Sequence, residues 1–255
     1  MMSTHKMPRK SQTKTPSQRK PVKTGTYWLY GRHAVLSALQ NEKRRIIRIL
    51  MTENAASGIS LTTDVRIEKV KPDVLEKYLP EGALHQGIAV ETYPLANPVL
   101  DDCIASGQPL LLLDQVTDPH NIGAILRSAA AFNAGAVIVP QHHAPEETGV
   151  LAKTASGALE AVPLLRVPNL SQTIEYLKKN GYWCAGMDGD AKQTLEQAKL
   201  GKKTALVMGA EGKGLRRLTA ETCDLLVKLP MSEKMESLNV SNAAAIALYV
   251  LYTQA

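Results

Sequence analysis

The sequence predicts an α/β fold in which a mostly parallel sheet is covered by helices and preceded by a smaller α/β unit. Three observations carry this. From Pro109 onward, short apolar runs alternate with segments of helical period, the pattern of a sheet wrapped on both faces. Before Pro94 the elements are shorter and fit a small sandwich of roughly 70 residues. Lastly, three polar or glycine-rich segments directly follow apolar runs in the second half. Ligands of open α/β sheets bind outside the carboxyl ends of strands, so these segments predict one composite site.

Residues 1–25 carry seven Lys and Arg and no Asp or Glu, and are rich in Pro, Ser, Thr and Gln. This reads as a basic disordered tail suited to nucleic-acid phosphate. Pro8, Pro16 and Pro21 interrupt the amphipathic helix of a transit peptide. The rest of the chain holds 23 basic and 24 acidic residues, so the net charge of +6 belongs to the tail.

Residues 26–94 form the first compact unit. Gly31–Leu39 has helical spacing, with Val35, Leu36 and Leu39 on one face. Ile46–Met51 is β-branched and reads as a strand, and the alternation in Arg66–Val70 predicts another. Pro72 opens a helix over Asp73–Leu79, and Gln86–Glu91 closes the unit as a strand. Residues 95–108, with Asn97, Pro98 and Gly107, read as a linker.

Residues 109–255 form the second unit. Its strands are predicted at Leu110–Leu113, Ala136–Val139, Val162–Leu165, Tyr182–Met187, Ala205–Met208 and Leu225–Leu229. Helices are predicted over Ile122–Phe132, Val150–Leu159, Leu170–Lys179 and Val240–Tyr252. The longest apolar stretch, Ala243–Tyr252, is about half of the ~20 residues a membrane-spanning helix needs. No signal-peptide pattern opens the chain. Cys103, Cys184 and Cys223 are widely spaced and form no C-x-x-C pair, so a reducing cytoplasm is expected, with neither disulfides nor zinc. His120, His142 and His143 lack acidic or cysteine partners at ligand spacing, and no metal is expected.

The first of the three segments is DPHNIGAILRSA, Asp118–Ala129. Pro119 breaks the chain and Asn121 occupies a helix N-cap position. Gly123 and Ala124 leave a small surface for close packing, and Arg127 offers a planar fork suited to phosphate. The alternative is a capping Asn and a solvent-facing Arg. The second segment, Gly209–Gly214, follows the strand Ala205–Met208. It is neither a P-loop nor G-x-G-x-x-G, and Glu211 would repel a pyrophosphate. A cationic or hydroxyl-rich ligand suits it better; the alternative is a plain strand-to-helix turn. The third, Leu229–Ala245, reads as a strand end, an exposed loop and a small-residue helix. Two Ser and two Asn within Ser237–Asn242 exceed what capping requires, and the alanine run implies close packing against a helix or a second subunit.

Together these segments make Leu110–Tyr252 resemble the SPOUT-class RNA ribose 2′-O-methyltransferases of the TrmH family. YGRHAVLSAL and HQGIAVE in the first unit resemble the ribosomal-protein-like substrate-binding domain of that family's large-subunit-rRNA branch. The resemblance implies a trefoil-knotted catalytic domain, S-adenosylmethionine as cofactor, a homodimer and an RNA substrate, with guanosine of large-subunit rRNA the expected target. It places Gly209, Ala210, Glu211, Gly212, Leu229, Met231, Ser237 and Leu238 at the cofactor. It places Asn121, Arg127, Glu211 and Asn239 in the active site, and Arg32 and His33 in the first unit are candidates for RNA contact. The family assigns Arg127 the activation of the 2′-hydroxyl. A guanidinium is a poor proton acceptor, so phosphate binding and charge stabilisation are the expected role. Ser232–Glu236 departs from the glycine-containing loop frequent in the family. A tRNA ribose methyltransferase and a non-catalytic ribosome-assembly protein of the same fold are the alternatives. Loss of Arg127 or Asn239 would have favoured the second, and both are present.

Overall fold

The computed structural model describes residues 25–142 and 144–254. The basic tail and His143 lie outside these residues. The first sheet has the order β1-β4-β2-β3, formed by β1 (Tyr27–Tyr30), β2 (Ile46–Met51), β3 (Ile67–Lys69) and β4 (Ile88–Thr92). β4 is antiparallel to both β1 and β2, while β2 and β3 run parallel. Helix α1 (Arg32–Gln40) buries Ala34, Val35 and Ala38, so its inner face is shifted from the predicted one and Leu36 and Leu39 are only half-buried. The sheet also carries α2 (Glu53–Gly58) and α3 (Pro72–Glu76), the latter with proline in its first turn as predicted.

Segment 95–108, read as a linker, contains α4 (Leu100–Ala105), which buries Cys103. The second sheet follows, in the order β7-β6-β5-β10-β8-β11-β9, and every pairing is parallel. Its strands are β5 (Leu110–Leu113), β6 (Ala136–Pro140), β7 (Leu164–Val167), β8 (Trp183–Met187), β9 (Gln193–Thr194), β10 (Thr204–Met208) and β11 (Leu225–Lys228). β5 and β10 are buried along their whole length because helices cover both faces. These helices are α5 (Pro119–Ala131), α6 (Gly149–Ala155), α7 (Ala158–Ala161), α8 (Leu170–Lys179), α9 (Arg217–Thr222) and α10 (Val240–Gln254). The chain leaves β5 towards β6 and β7 and later returns through β10 on its other side. The β5–β10 boundary is therefore the switch point at which such sheets bind ligands.

Two further expectations are corrected. The helix predicted over Val150–Leu159 is two helices, because Ser156 (φ 52°) and Gly157 (φ 96°) turn left-handed between α6 and α7. A Cβ on Gly157 would collide with Ser37 of α1, so the break lets α1 approach. The strand predicted from Val162 begins at Leu164, since Val162 caps α7.

The two sheets share one apolar core, in which Leu29, Val35 and Val90 pack in the same cluster as Leu111, Leu151 and Leu248. A buried ion-pair network reinforces the seam. Arg44, whose side chain is fully buried, binds Glu160 of α7 at 2.6 Å and also Glu147. Asn41 donates to the same Glu160 carboxylate at 2.6 Å, and Arg44 donates to the Tyr27 hydroxyl at 3.2 Å. Burial works to lower the pKa of the guanidinium, but the carboxylates outweigh it and hold it above its ordinary value.

Candidate active site

Pro119 opens α5, and Asp118 caps it by accepting from the backbone N–H of His120 at 2.9 Å. The predicted cap, Asn121, therefore lies within the first turn, and its side chain is released from capping. Nδ2 of Asn239 donates to Oδ1 of Asn121 at 3.1 Å. Oδ1 of Asn239 accepts from the backbone N–H of Ser241 at 2.9 Å and from its hydroxyl at 2.6 Å. One asparagine thus starts α10 and joins it to α5. Ala244 and Ala247 are buried in the core, and α10 packs along α5, as the alanine run foretold for a helix neighbour.

Arg127 lies on α5 seven residues beyond His120, on the same face and two turns away. It is exposed, and no carboxylate lies within ion-pair distance of it among the described residues. Gly123, between the two, abuts α6: a Cβ there would lie 2.7 Å from both the Leu151 carbonyl and the Thr154 Cβ.

The glycine segment leaves β10 as a closed loop. The backbone N–H of Gly214 donates to the carbonyl of Ala210 at 2.9 Å, and Gly212 (φ 76°) and Gly214 (φ 63°) are left-handed. A Cβ on Gly209 would overlap the Gly214 carbonyl and Leu215 N, so closure of the loop requires glycine. Glu211 stands exposed on the loop. The far end of the loop is anchored by a residue whose role the sequence did not disclose. Asp114 is fully buried at the end of β5; its Oδ1 accepts from Nε of Arg216 at 2.7 Å and its Oδ2 from the backbone N–H of Arg216 at 3.1 Å. The glycine loop is thereby clamped to the neighbouring strand at the switch point.

The third segment leaves β11. Leu229 is half-buried against the main core, Met231 and Ser237 are exposed, and Leu238 is half-buried. The ends of β5, β10 and β11 therefore present Asp114, the glycine loop and the Leu229–Asn239 loop at the same edge of one sheet. Half-buried Leu229 and Leu238 offer apolar walls, and Glu211 and Ser237 offer groups for hydroxyls or an ammonium. That donor set fits a nucleoside bearing an amino-acid chain better than a pyrophosphate. Arg32 and His33 stand apart from this edge, exposed at the head of α1. Among the described residues no group of three His, Cys, Asp or Glu is arranged to hold a metal ion. No described helix is long and apolar enough to cross a membrane.

Residues 108–249 match the model of the SpoU rRNA Methylase family. The chain belongs to this family. Residues 28–98 match the RNA 2′-O ribose methyltransferase substrate-binding model, which coincides with the first sheet. Among SpoU relatives, a protein named 23S rRNA (guanosine-2′-O-)-methyltransferase RlmB from Vibrio vulnificus is 42% identical over 87% of this chain and 94% of its own. The Escherichia coli protein of the same name is 42% identical over 87% of this chain and 96% of its own. The SpoU methyltransferase AviRb from Streptomyces viridochromogenes superposes with a TM-score of 0.79 over 90% of each chain at 24% identity, which bears on the fold.

Proposed function

We propose that this protein transfers a methyl group from S-adenosylmethionine to the ribose 2′-hydroxyl of a guanosine in 23S rRNA. The observation that carries the reading is the meeting of Asn121 and Asn239, which joins the first and third segments, on the sheet whose β5 end also clamps the glycine loop. The relatives named for this reaction, alike over most of their length, support the substrate.

In this reading S-adenosylmethionine supplies an electrophilic methyl carbon. Gly209, Leu229 and Leu238 hold it mainly through backbone groups, with Ala210, Glu211, Gly212, Met231 and Ser237 lining the same pocket. The exposed guanidinium of Arg127 binds an RNA phosphate and stabilises negative charge developing on the 2′-oxygen. A guanidinium stays protonated, so its contribution is electrostatic rather than that of a base. Asn121 and Asn239 fix the ribose and the loop, and Arg32 and His33 contact RNA from the first unit. Residues 26–94 serve as the substrate-binding unit and 109–255 as the catalytic one.

The same reading includes a homodimer and a trefoil knot. Ile246, Tyr249 and Tyr252 leave an apolar stripe of α10 exposed beside Phe132, which supports a dimer built on this helix. The strand order and the return of α10 onto α5 support the knot. A cytoplasmic location follows from the rRNA substrate.

The test is methyl transfer from labelled S-adenosylmethionine to rRNA and tRNA taken from a strain lacking the protein, with Arg127→Ala alongside. Label resistant to alkaline cleavage at one 23S ribose, and reduced at least about a hundredfold in the variant, is expected. Label in tRNA would overturn the substrate, and absence of cofactor binding would overturn the reaction.

A further inference from the structure

Helix α6 is seven residues long, yet its side chains reach two different elements. Oγ1 of Thr154 stands 3.4 Å from Nδ1 of His120 on α5. Lys153 turns the other way, towards the first unit, where its ammonium donates to Oε1 of Gln86 at 2.8 Å. A Cβ on Gly31 would come within 2.5 Å of that nitrogen. The same Gln86 oxygen accepts from the backbone N–H of Arg32 at 2.9 Å. Gln86 is held left-handed at φ 56°, a conformation unfavourable for a residue with a side chain. The turn presenting this oxygen is therefore imposed by its surroundings.

Cationic and titratable groups thus stand on three helices packed in succession, α5 against α6 and α6 against α1. Arg127 and His120 lie two turns apart on α5, Lys153 follows on α6, and Arg32 and His33 stand at the head of α1. Arg44, Arg48, Arg216, Arg217, Lys69 and Lys178 all have acidic partners. Arg32 and Lys153 have none within ion-pair distance among the described residues. Burial holds the Lys153 ammonium below the usual lysine pKa with no acid to offset it. An ammonium has three donors and Gln86 uses one, so two remain. Among the described residues the Arg32 guanidinium makes one hydrogen bond, to the Gly58 carbonyl at 3.3 Å.

We propose that Lys153 and Arg32 together grip a phosphate of the RNA backbone across the seam, a positioning contact that leads the strand from the first unit to Arg127. This rests on the reading of RNA as substrate and adds to it a residue, Lys153, that belongs to the catalytic unit by sequence and faces the substrate-binding unit in space. Its charge is what lets the two units hold one strand at a set distance from the reacting ribose.

The experiment measures binding of the full chain to a 23S rRNA transcript across about 50 to about 300 mM salt, for wild type, Lys153→Gln, Lys153→Arg, Arg32→Gln and the double Gln variant. Each single Gln variant is expected to weaken binding about three- to tenfold and to lower the log–log salt slope by about one. Lys153→Arg should keep the slope, and in methyl transfer the loss should fall on KM for RNA more than on kcat. Unchanged slopes in both Gln variants would overturn the proposal. So would weaker binding by Lys153→Gln that tracks a lowered Tm while Arg32→Gln keeps the wild-type slope. Wild type that binds the transcript but methylates nothing would overturn the enzymatic reading alone, because the slopes still decide the phosphate contact. Wild type that binds no RNA would overturn both.

Discussion

Asp114 grips Arg216 twice, through the guanidinium and through the backbone N–H, across 102 residues of sequence. The two ends of this pair are not equivalent. Asp114 is fully buried, whereas half of the Arg216 side chain is exposed. Removing the arginine leaves a buried carboxylate with one donor, while removing the acid leaves an arginine that water can solvate. Arg216→Ala should cost about 3 kcal/mol and Asp114→Asn about 1–2 kcal/mol in urea unfolding, and both should weaken S-adenosylmethionine binding about tenfold. Equal stability losses would contradict this asymmetry.

Gly209→Ala tests the loop without touching a charge. The new methyl must displace the Gly214 carbonyl, so the loop has to open. Cofactor affinity measured by calorimetry should fall at least about tenfold, with a stability loss of about 1–3 kcal/mol. Gly201→Ala, at a position with open space around it, is the control.

Arg44→Met should destabilise the chain by about 3–5 kcal/mol, because it strands the nearly buried carboxylates of Glu147 and Glu160. Adding Glu147→Gln and Glu160→Gln to that variant removes the stranded charges and should restore more than half of the loss. Differential scanning calorimetry reads both, and a triple variant no better than the single one would show that shape rather than charge holds this seam.

Burial pushes the thiols of Cys184 and Cys223 up to about 12, with the Asp224 carboxylate adding to the rise. Both should react with iodoacetamide at neutral pH at least about a hundredfold more slowly in the native protein than after unfolding. A folded pKa above the unfolded one means that this stability is fully present below the ordinary thiol value. It is lost as pH rises from there towards about 12. Rapid native labelling, read by mass spectrometry, would contradict the burial of these groups.

The three segments were legible because each is contiguous and follows a strand rich in Leu and Val. The alternation of elements after Pro109 was equally plain. Asn121 was misread because Asp118 and Asn121 are both capping residues; Pro119 decides between them, since proline favours the position just after the cap. Asp114 was visible only as a strand end, because its partner lies in another motif. The break between α6 and α7 depends on Ser37, and the position of Lys153 depends on Gly31 and Gln86, both far away in sequence. β9 has two residues, too few to leave a period. Asp114, the helix break and Lys153 escaped the sequence because each is a relation between distant segments.

The apolar cluster that runs from Val35 to Leu248 makes the two family models a poor guide to where this protein can be cut. Excising residues 26–94 would bare the faces of α6 and α7 that contact β1 and α1, together with the acids that face Arg44. The remaining half would be sticky and carry uncompensated charge. Recombining the RNA-recognising half of one relative with the transferase half of another should fail unless the α6–α7 strip travels with the half it touches. Substitutions along that strip should therefore be tolerated only with compensating changes in the unit it touches.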